Sequence, residues 1–262
     1  MARKIVITSG KGGVGKTTIT ANLGTALAIK GATVCLIDGD IGLNNLDVVM
    51  SIENKVVYDI LDVARGKCRV MQALVKDLML PNLYVLPSTK GGNSKEITTS
   101  DFMDITSTLN EYFDFILMDC PAGMDIGFHR TVSSSSEAII VTTPNMSAIR
   151  DADKTISTLA TYNLQNIQLV INMMRGDLVA TGDMFSVTDI ARLLRISPIG
   201  VIPNDDKVVL SNATTVNAKS LSTKAFMQLA DNIMGNSNSL YDCSSKYKGT
   251  LGRLRSKIKR IL

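Results

Sequence analysis

A chain of 262 residues, 45% hydrophobic and 20% charged, is composed like a soluble globule that can bury one substantial core. Its net charge of +4 is unevenly spread: residues 248–262 hold six basic side chains and no acid, so the rest is slightly acidic, which argues against a body that coats nucleic acid by bulk charge. Four scattered cysteines with no CxxC pair, a single histidine and no run of eighteen apolar residues argue against disulfides, a zinc site and a membrane-spanning helix, and favour a reducing cytoplasm.

Strands are predicted over 4–8, 33–38, 83–87, 113–119, 138–143, 167–172 and 198–203, several of them continuous apolar runs of the kind covered on both faces. The opening apolar run is too short for a signal peptide and reads as the first of these strands. Helical patterns fall between them, over 17–30, 56–65, 101–112, 146–161, 187–195 and 222–234. This alternation predicts an α/β fold, a doubly wound and mostly parallel sheet with right-handed crossovers.

Gly10-Lys11-Gly12-Gly13-Val14-Gly15-Lys16-Thr17 satisfies GxxxxGK[ST] in full, between a predicted strand and a predicted helix. The glycines let backbone amides wrap phosphate, and Thr18 continues the loop into the positive end of the helix. Lys16 is expected on the β and γ phosphates and Thr17 on Mg²⁺. Lys11 is extra to that pattern, and a solvated lysine beside an anion is the plain alternative to a special role.

The second strand ends in Asp38-Gly39-Asp40, where open α/β sheets bind ligands. A calcium loop fits poorly, since Gly42 and Leu43 stand where D-x-D-x-D-G needs Asp and Gly. FILMD places Asp119 after four apolar residues, as a Walker B acid requires. Cys120 has no second cysteine at useful spacing and is read as packed, and His129 has no visible partner in the sequence.

After the last predicted helix, residues 235–249 are polar and rich in Ser, Asn and Gly, the composition of a linker. The expected organisation is a P-loop NTPase domain over 1–234, that linker, and a tail helix over 250–262. Drawn as a helix, the tail gathers Leu251, Leu254, Ile258, Ile261 and Leu262 in an arc of about 100°. Lys248, Arg253, Arg255, Lys257, Lys259 and Arg260 take the remaining circumference, with basic side chains flanking the apolar stripe. Such a helix suits an anionic lipid interface, and so short a helix is marginal in water without one. Docking on the body, on a partner groove or on nucleic acid is the competing reading.

The KGGVGKT loop, the DGDIGLNNLD and DCPAG segments, TTPNMSAIRDADK and the basic terminus together resemble the ParA/MinD family of deviant Walker A ATPases, over essentially the whole chain. Within that family they are most similar to its division-site branch. The resemblance implies an ATP-dependent homodimer in which Lys11 reaches the partner's nucleotide. It also implies ATP rather than GTP, with Mg²⁺, and assigns Lys11, Lys16, Asp40 and Asp119 to catalysis. Asp38 goes to the water shell of the metal, alongside Thr17 and Asp119, while Asp40 orients the attacking water. Asn45 belongs to the first switch, and the Gly123 backbone meets the γ-phosphate. Asn172, Pro203 and Asp205 hold adenine.

Further implications concern partners. Asp151 and Asp153 match the family's partner-binding acids, with a MinC-type division inhibitor recruited to anionic phospholipid at the cytoplasmic face of the inner membrane. Release follows hydrolysis stimulated by a MinE-type or other activator; no nucleic acid is expected. The membrane contacts fall on Leu251, Arg253, Leu254, Lys257, Ile258, Arg260, Ile261 and Leu262. Cys120 and the long polar linker depart from the family pattern. A flagellar-number ATPase and a DNA-binding partition ATPase share the loop, and an iron–sulfur reductase lacks cysteines to support it.

Overall fold

In a computed structural model, the structure describes residues 1–42, 45–89, 94–205 and 220–247. The tail helix expected over 250–262 lies outside the described residues.

Eight strands form one sheet: β1 (Arg3–Thr8), β2 (Val34–Asp38), β3 (Val75–Lys76), β4 (Leu83–Leu86), β5 (Phe115–Asp119), β6 (Glu137–Thr142), β7 (Asn166–Met174) and β8 (Pro198–Pro203). Their order is β3-β4-β2-β5-β1-β6-β7-β8, parallel throughout except for β3, which runs antiparallel to β4 at one edge. Every predicted strand is present. β3 is an addition to them, because two residues carry no period.

The helices are α1 (Lys16–Ile29), α2 (Leu46–Val49), α3 (Ile60–Ala64), α4 (Val70–Ala73), α5 (Thr99–Leu109), α6 (Ile126–Ser133), α7 (Met146–Leu159), α8 (Gly176–Thr181), α9 (Val187–Leu194) and α10 (Leu221–Ile233). Alternate residues of each central strand enter different cores, as a two-sided sheet demands. Ile5, Ile7, Leu36 and Leu117 pack with α1 and α10 on one face. Val6, Ile37, Ile116, Met118 and Ile140 pack with α3 to α7 and α9 on the other. Helix α1 is buried around most of its girth; at Gly24 a Cβ would run into the Leu36 side chain, so the helix can sit directly on β2 only without one.

One helical expectation narrows, and α2, α4, α6 and α8 are additions to those expected. The pattern over 56–65 yields helix only over Ile60–Ala64, started where the Asp59 carboxylate accepts from the Leu61 and Asp62 amides. Helix α6 is not expected from the sequence, because Pro, Gly and Ser dominate its neighbourhood; Asp125 nevertheless caps it by accepting from the Gly127 and Phe128 amides.

Beyond α10 the chain turns back. Asn232 donates through its amide to the Ile199 carbonyl of edge strand β8, at 2.7 Å, and to the Ser239 carbonyl at 2.8 Å. Leu240 and Cys243 then pack on one core while Tyr241 packs on the opposite one, so residues 236–247 wrap the β8 edge. Covering an edge strand blocks pairing with other chains. The segment with a linker's composition is thus docked over its described length.

The candidate nucleotide site

The phosphate loop leaves β1 at Thr8, and Asp38 and Asp119 end the neighbouring strands in direct register with each other. All three therefore meet at the carboxyl edge of the sheet, beside the strand about which chain order reverses. Gly13 and Gly15 carry positive φ of 77° and 94°, a backbone that the wrapped loop needs and a side chain would resist. No side chain caps α1, which leaves its first-turn amides to an anion.

The two loop lysines differ. Lys16 is buried and donates to the Ser9 hydroxyl at 3.1 Å, while Ser9 donates to the Lys11 carbonyl at 2.7 Å. Lys11 is exposed, and its ammonium donates at 3.0 Å to the Ser147 hydroxyl on α7. Ser147 in turn donates to the Asn145 side-chain oxygen, the group that caps α7 through the Ala148 amide. At Gly10 a Cβ would overlap the Asp151 carbonyl, so α7 lies directly against the loop. Asp151 is half-buried there and Asp153 is exposed.

Thr17 donates to Asp119 Oδ2 at 2.6 Å, and Thr20 reaches Oδ1 at 3.4 Å. Burial pushes the Asp119 carboxyl up to about 7, held down in part by Thr17 and Lys16. Burial also raises Asp38, well above the usual range, with the Asp119 charge adding to it. The Asp38 oxygens accept from the Asp40 and Leu46 amides at 3.0 and 3.2 Å. Asp40 is half-buried and raised by burial, against the pull of Lys16. Gly39 is wedged: its amide donates to the Asp119 carbonyl, and a Cβ would lie 2.5 Å from the Thr131 methyl.

Buried carboxylates this close repel one another and want a cation, which Thr17, Asp119 and Asp38 fit. Among the described residues no three Asp, Glu, His or Cys side chains form a metal cage. That suits Mg²⁺, which is held largely by substrate phosphates and water.

At the far end of the site, Asn172 is buried and already engaged. Its amide nitrogen donates to the Val14 carbonyl at 2.9 Å and its oxygen accepts from the Met173 amide, so it braces the loop. Pro203 ends β8, and the Asp205 carboxylate accepts from the amide and hydroxyl of Ser222 at the start of α10. Asn45 is exposed at the start of α2, Gly123 has a φ of 91°, and Gly12 and Thr18 hold their places in the loop.

Ser9, Thr20, Thr131, Asn145 and Ser147 are not among the residues that the sequence singles out. Ser9 and Thr20 flank the loop motif without belonging to it, Asn145 and Ser147 lie in the TTPNMSAIRDADK segment but reach the loop only through the packing of α7, and Thr131 reaches the site from α6. Cys120 is packed as expected, its thiol pushed up to about 11 by burial and accepting from the Thr131 hydroxyl. His129, expected to be without a partner, hydrogen-bonds the Tyr162 hydroxyl and stacks on its ring.

Comparison with known proteins identifies the family. The ParA family, described as NUBPL iron-transfer P-loop NTPase, matches residues 1–234. The septum site-determining protein MinD of Bacillus subtilis is 40% identical over 262 residues, covering 98% of each chain. A MinC:MinD cell division protein complex from Aquifex aeolicus matches at a TM-score of 0.84 and 40% identity, over 92% of this chain and 98% of that one. MinD of Pyrococcus horikoshii, solved with Mg-ADP, matches at a TM-score of 0.80 and 29% identity, over 89% and 96%. This chain belongs to the ParA/MinD family of P-loop ATPases, in its septum site-determining MinD branch, and uses ATP and Mg²⁺ to place the division site.

Proposed function

We propose that ATP-bound copies of this chain pair through their phosphate loops, and that the pair holds a MinC-type inhibitor on anionic membrane until hydrolysis releases it. The observation that carries this reading is the separation of the two lysines. Lys16 is buried within its own loop, whereas Lys11 is exposed and, among the described residues, held by one exposed hydroxyl, so it can leave for a second site.

Within one subunit, Lys16 and the loop amides bind and orient the phosphates. Thr17 and Asp119, with Asp38 behind them, are the groups to hold Mg²⁺, which draws charge from the leaving phosphates. Asp40, beside Lys16, is placed to orient water, and Gly123 offers backbone at the γ-phosphate. Pro203 and Asp205 take the adenine end, with Asn172 fixing the loop beneath it. A lysine supplied across the interface rewards ATP over ADP, because loss of the γ-phosphate removes its anionic partner.

Asp151 and Asp153 would face the inhibitor or a MinE-type activator. The Asp151 backbone rests on Gly10, so a partner bound there touches the loop's support. Two tails in one dimer gain ~10²–10⁴ in avidity over one, which turns pairing into attachment at the cytoplasmic membrane face. The domain limits at 234 and 249 belong to this proposal. Sedimentation with anionic vesicles tests it: binding is expected with ATP and much less with ADP, and equal sedimentation in both removes the coupling.

A further inference from the structure

We infer that residues 236–247 form a strap that positions the base end of the nucleotide site. The inference rests on the assignment of that end to the loops after β7 and β8. At Gly176, the first residue of α8, a Cβ would overlap the Cys243 carbonyl, so strap backbone lies directly on helix backbone. Only glycine permits this approach.

Gly176 is four residues beyond Asn172, whose amide holds the phosphate loop at Val14. Between them Met173 is left-handed, with φ of 57°, and the Met174 carbonyl accepts from the Asn204 amide just past β8. Arg175 pairs with buried Asp177 at 2.6 Å, which stiffens the entry to α8. A short path of backbone contacts, completed by the Asn172 side chain, therefore joins the strap, the β7–α8 turn, the end of β8 and the phosphate loop.

The strap also meets the second loop directly. Tyr241, Cys243 and Tyr247 share with Met174, Pro203 and Asn204 the walls of a cleft of about 200 Å³. Burial pushes the Cys243 thiol up to about 12, so it packs there as an apolar group rather than as a reactive one. Yet no strap residue is fully buried, and its side chains are half-buried or exposed. An element held by a backbone approach, side-chain amides of Asn232 and Gln228, and side chains that are at most half-buried opens at lower cost than the core. Base binding that needs the loops in place must favour the docked strap, and the docked strap must favour base binding to the same degree.

The test uses the full chain. Hydrogen exchange with and without ADP should show amides of 239–247 protected about fivefold or more by the nucleotide, and unchanged exchange there overturns the inference. Two variants loosen the strap from different sides. Gly176→Ala places a methyl in the path of Cys243. Asn232→Ala removes the amide that holds Ser239, far from the phosphates. Each folded variant, checked by its melting curve, should bind ADP about tenfold more weakly, or ~1.4 kcal/mol, and tripolyphosphate unchanged. Unaltered ADP binding in both, or equal losses for ADP and tripolyphosphate, overturns it. Asp205→Ala examines the base assignment: an unchanged ADP-over-GDP preference removes that assignment and the strap's role with it. A changed preference beside unaffected strap variants leaves the assignment standing and overturns the strap alone.

Discussion

The Thr17 hydroxyl donates to the Asp119 carboxylate at 2.6 Å, tying the first turn of α1 to the end of β5 where the sheet leaves an acid buried. Asp119 lies in register with Asp38, which is raised in part by it, so this edge of the protein carries unfavourable charge at neutral pH. The folded carboxyl of Asp119 titrates at about 7, above the unfolded value of about 3.9. The folded state therefore holds the extra proton. This contribution to stability is complete below pH ~4 and is lost as pH rises towards ~7. The melting temperature of nucleotide-free protein should fall across that window, by about 2–4 °C per kcal/mol. Asp119→Asn should flatten the fall. A variant with the same pH slope as the parent would place the strain elsewhere.

Lys11 offers a second prediction. Among the described residues its ammonium bonds only an exposed serine hydroxyl, a contact worth little to the fold. Lys11→Ala should keep ADP affinity and melting temperature while losing ATP-dependent pairing, read by light scattering. Lys16→Ala should instead lose nucleotide binding itself, since Lys16 sits buried on Ser9 within the loop. Normal pairing of Lys11→Ala with ATP would show that the exposed lysine does not work across the interface.

Asn172 yields a third. Its two polar ends are spent on Val14 and Met173, and at Gly15 a Cβ would collide with its amide. Asn172→Ala leaves the Val14 carbonyl without its buried donor, a loss of about 1–3 kcal/mol. Melting of the nucleotide-free variant should show that loss. A purely base-reading residue would lose ADP affinity with no change in apo stability, so the two measurements separate the roles.

These contacts mark the boundary of what the chain discloses when read as text. The phosphate loop is contiguous, and its glycines, Lys16 and Thr17 are legible as one motif. Asp38 and Asp119 are legible because each ends an apolar strand run. Ser147 and Thr131 are not: they reach Lys11 and Cys120 through the packing of α7 and α6, and a lone Ser or Thr has no pattern of its own. The docked segment past α10 is hidden for a different reason. It is held by the Ser239 carbonyl, which accepts from Asn232, and by the close approach of Cys243 backbone to Gly176, neither of which composition can express. The short β3, α2, α4 and α8 escape because periodicity needs length, and α6 because Pro and Gly nearby favour a loop.

Gly39 shows how such hidden packing reaches the chemistry. It separates Asp38 from Asp40, and a Cβ there would lie 2.5 Å from the Thr131 methyl and 2.7 Å from the Asp119 carbonyl. The first neighbour is a side chain and the second is backbone of the strand that carries the acid. Gly39→Ala should therefore force the turn away from β5, at about 1–3 kcal/mol, and break the Gly39 amide bond to Asp119. Nucleotide binding through the loop should persist, because the glycine touches none of it, while turnover falls with Asp40 displaced. Thr131→Ser removes the nearer obstacle and keeps the hydroxyl on Cys120. Added to Gly39→Ala, it should restore part of the stability but not the full rate, since the Asp119 carbonyl still stands in the way. Complete recovery of turnover in the double variant would mean that the methyl alone sets the position of Asp40; no recovery of stability would mean that the backbone contact decides it.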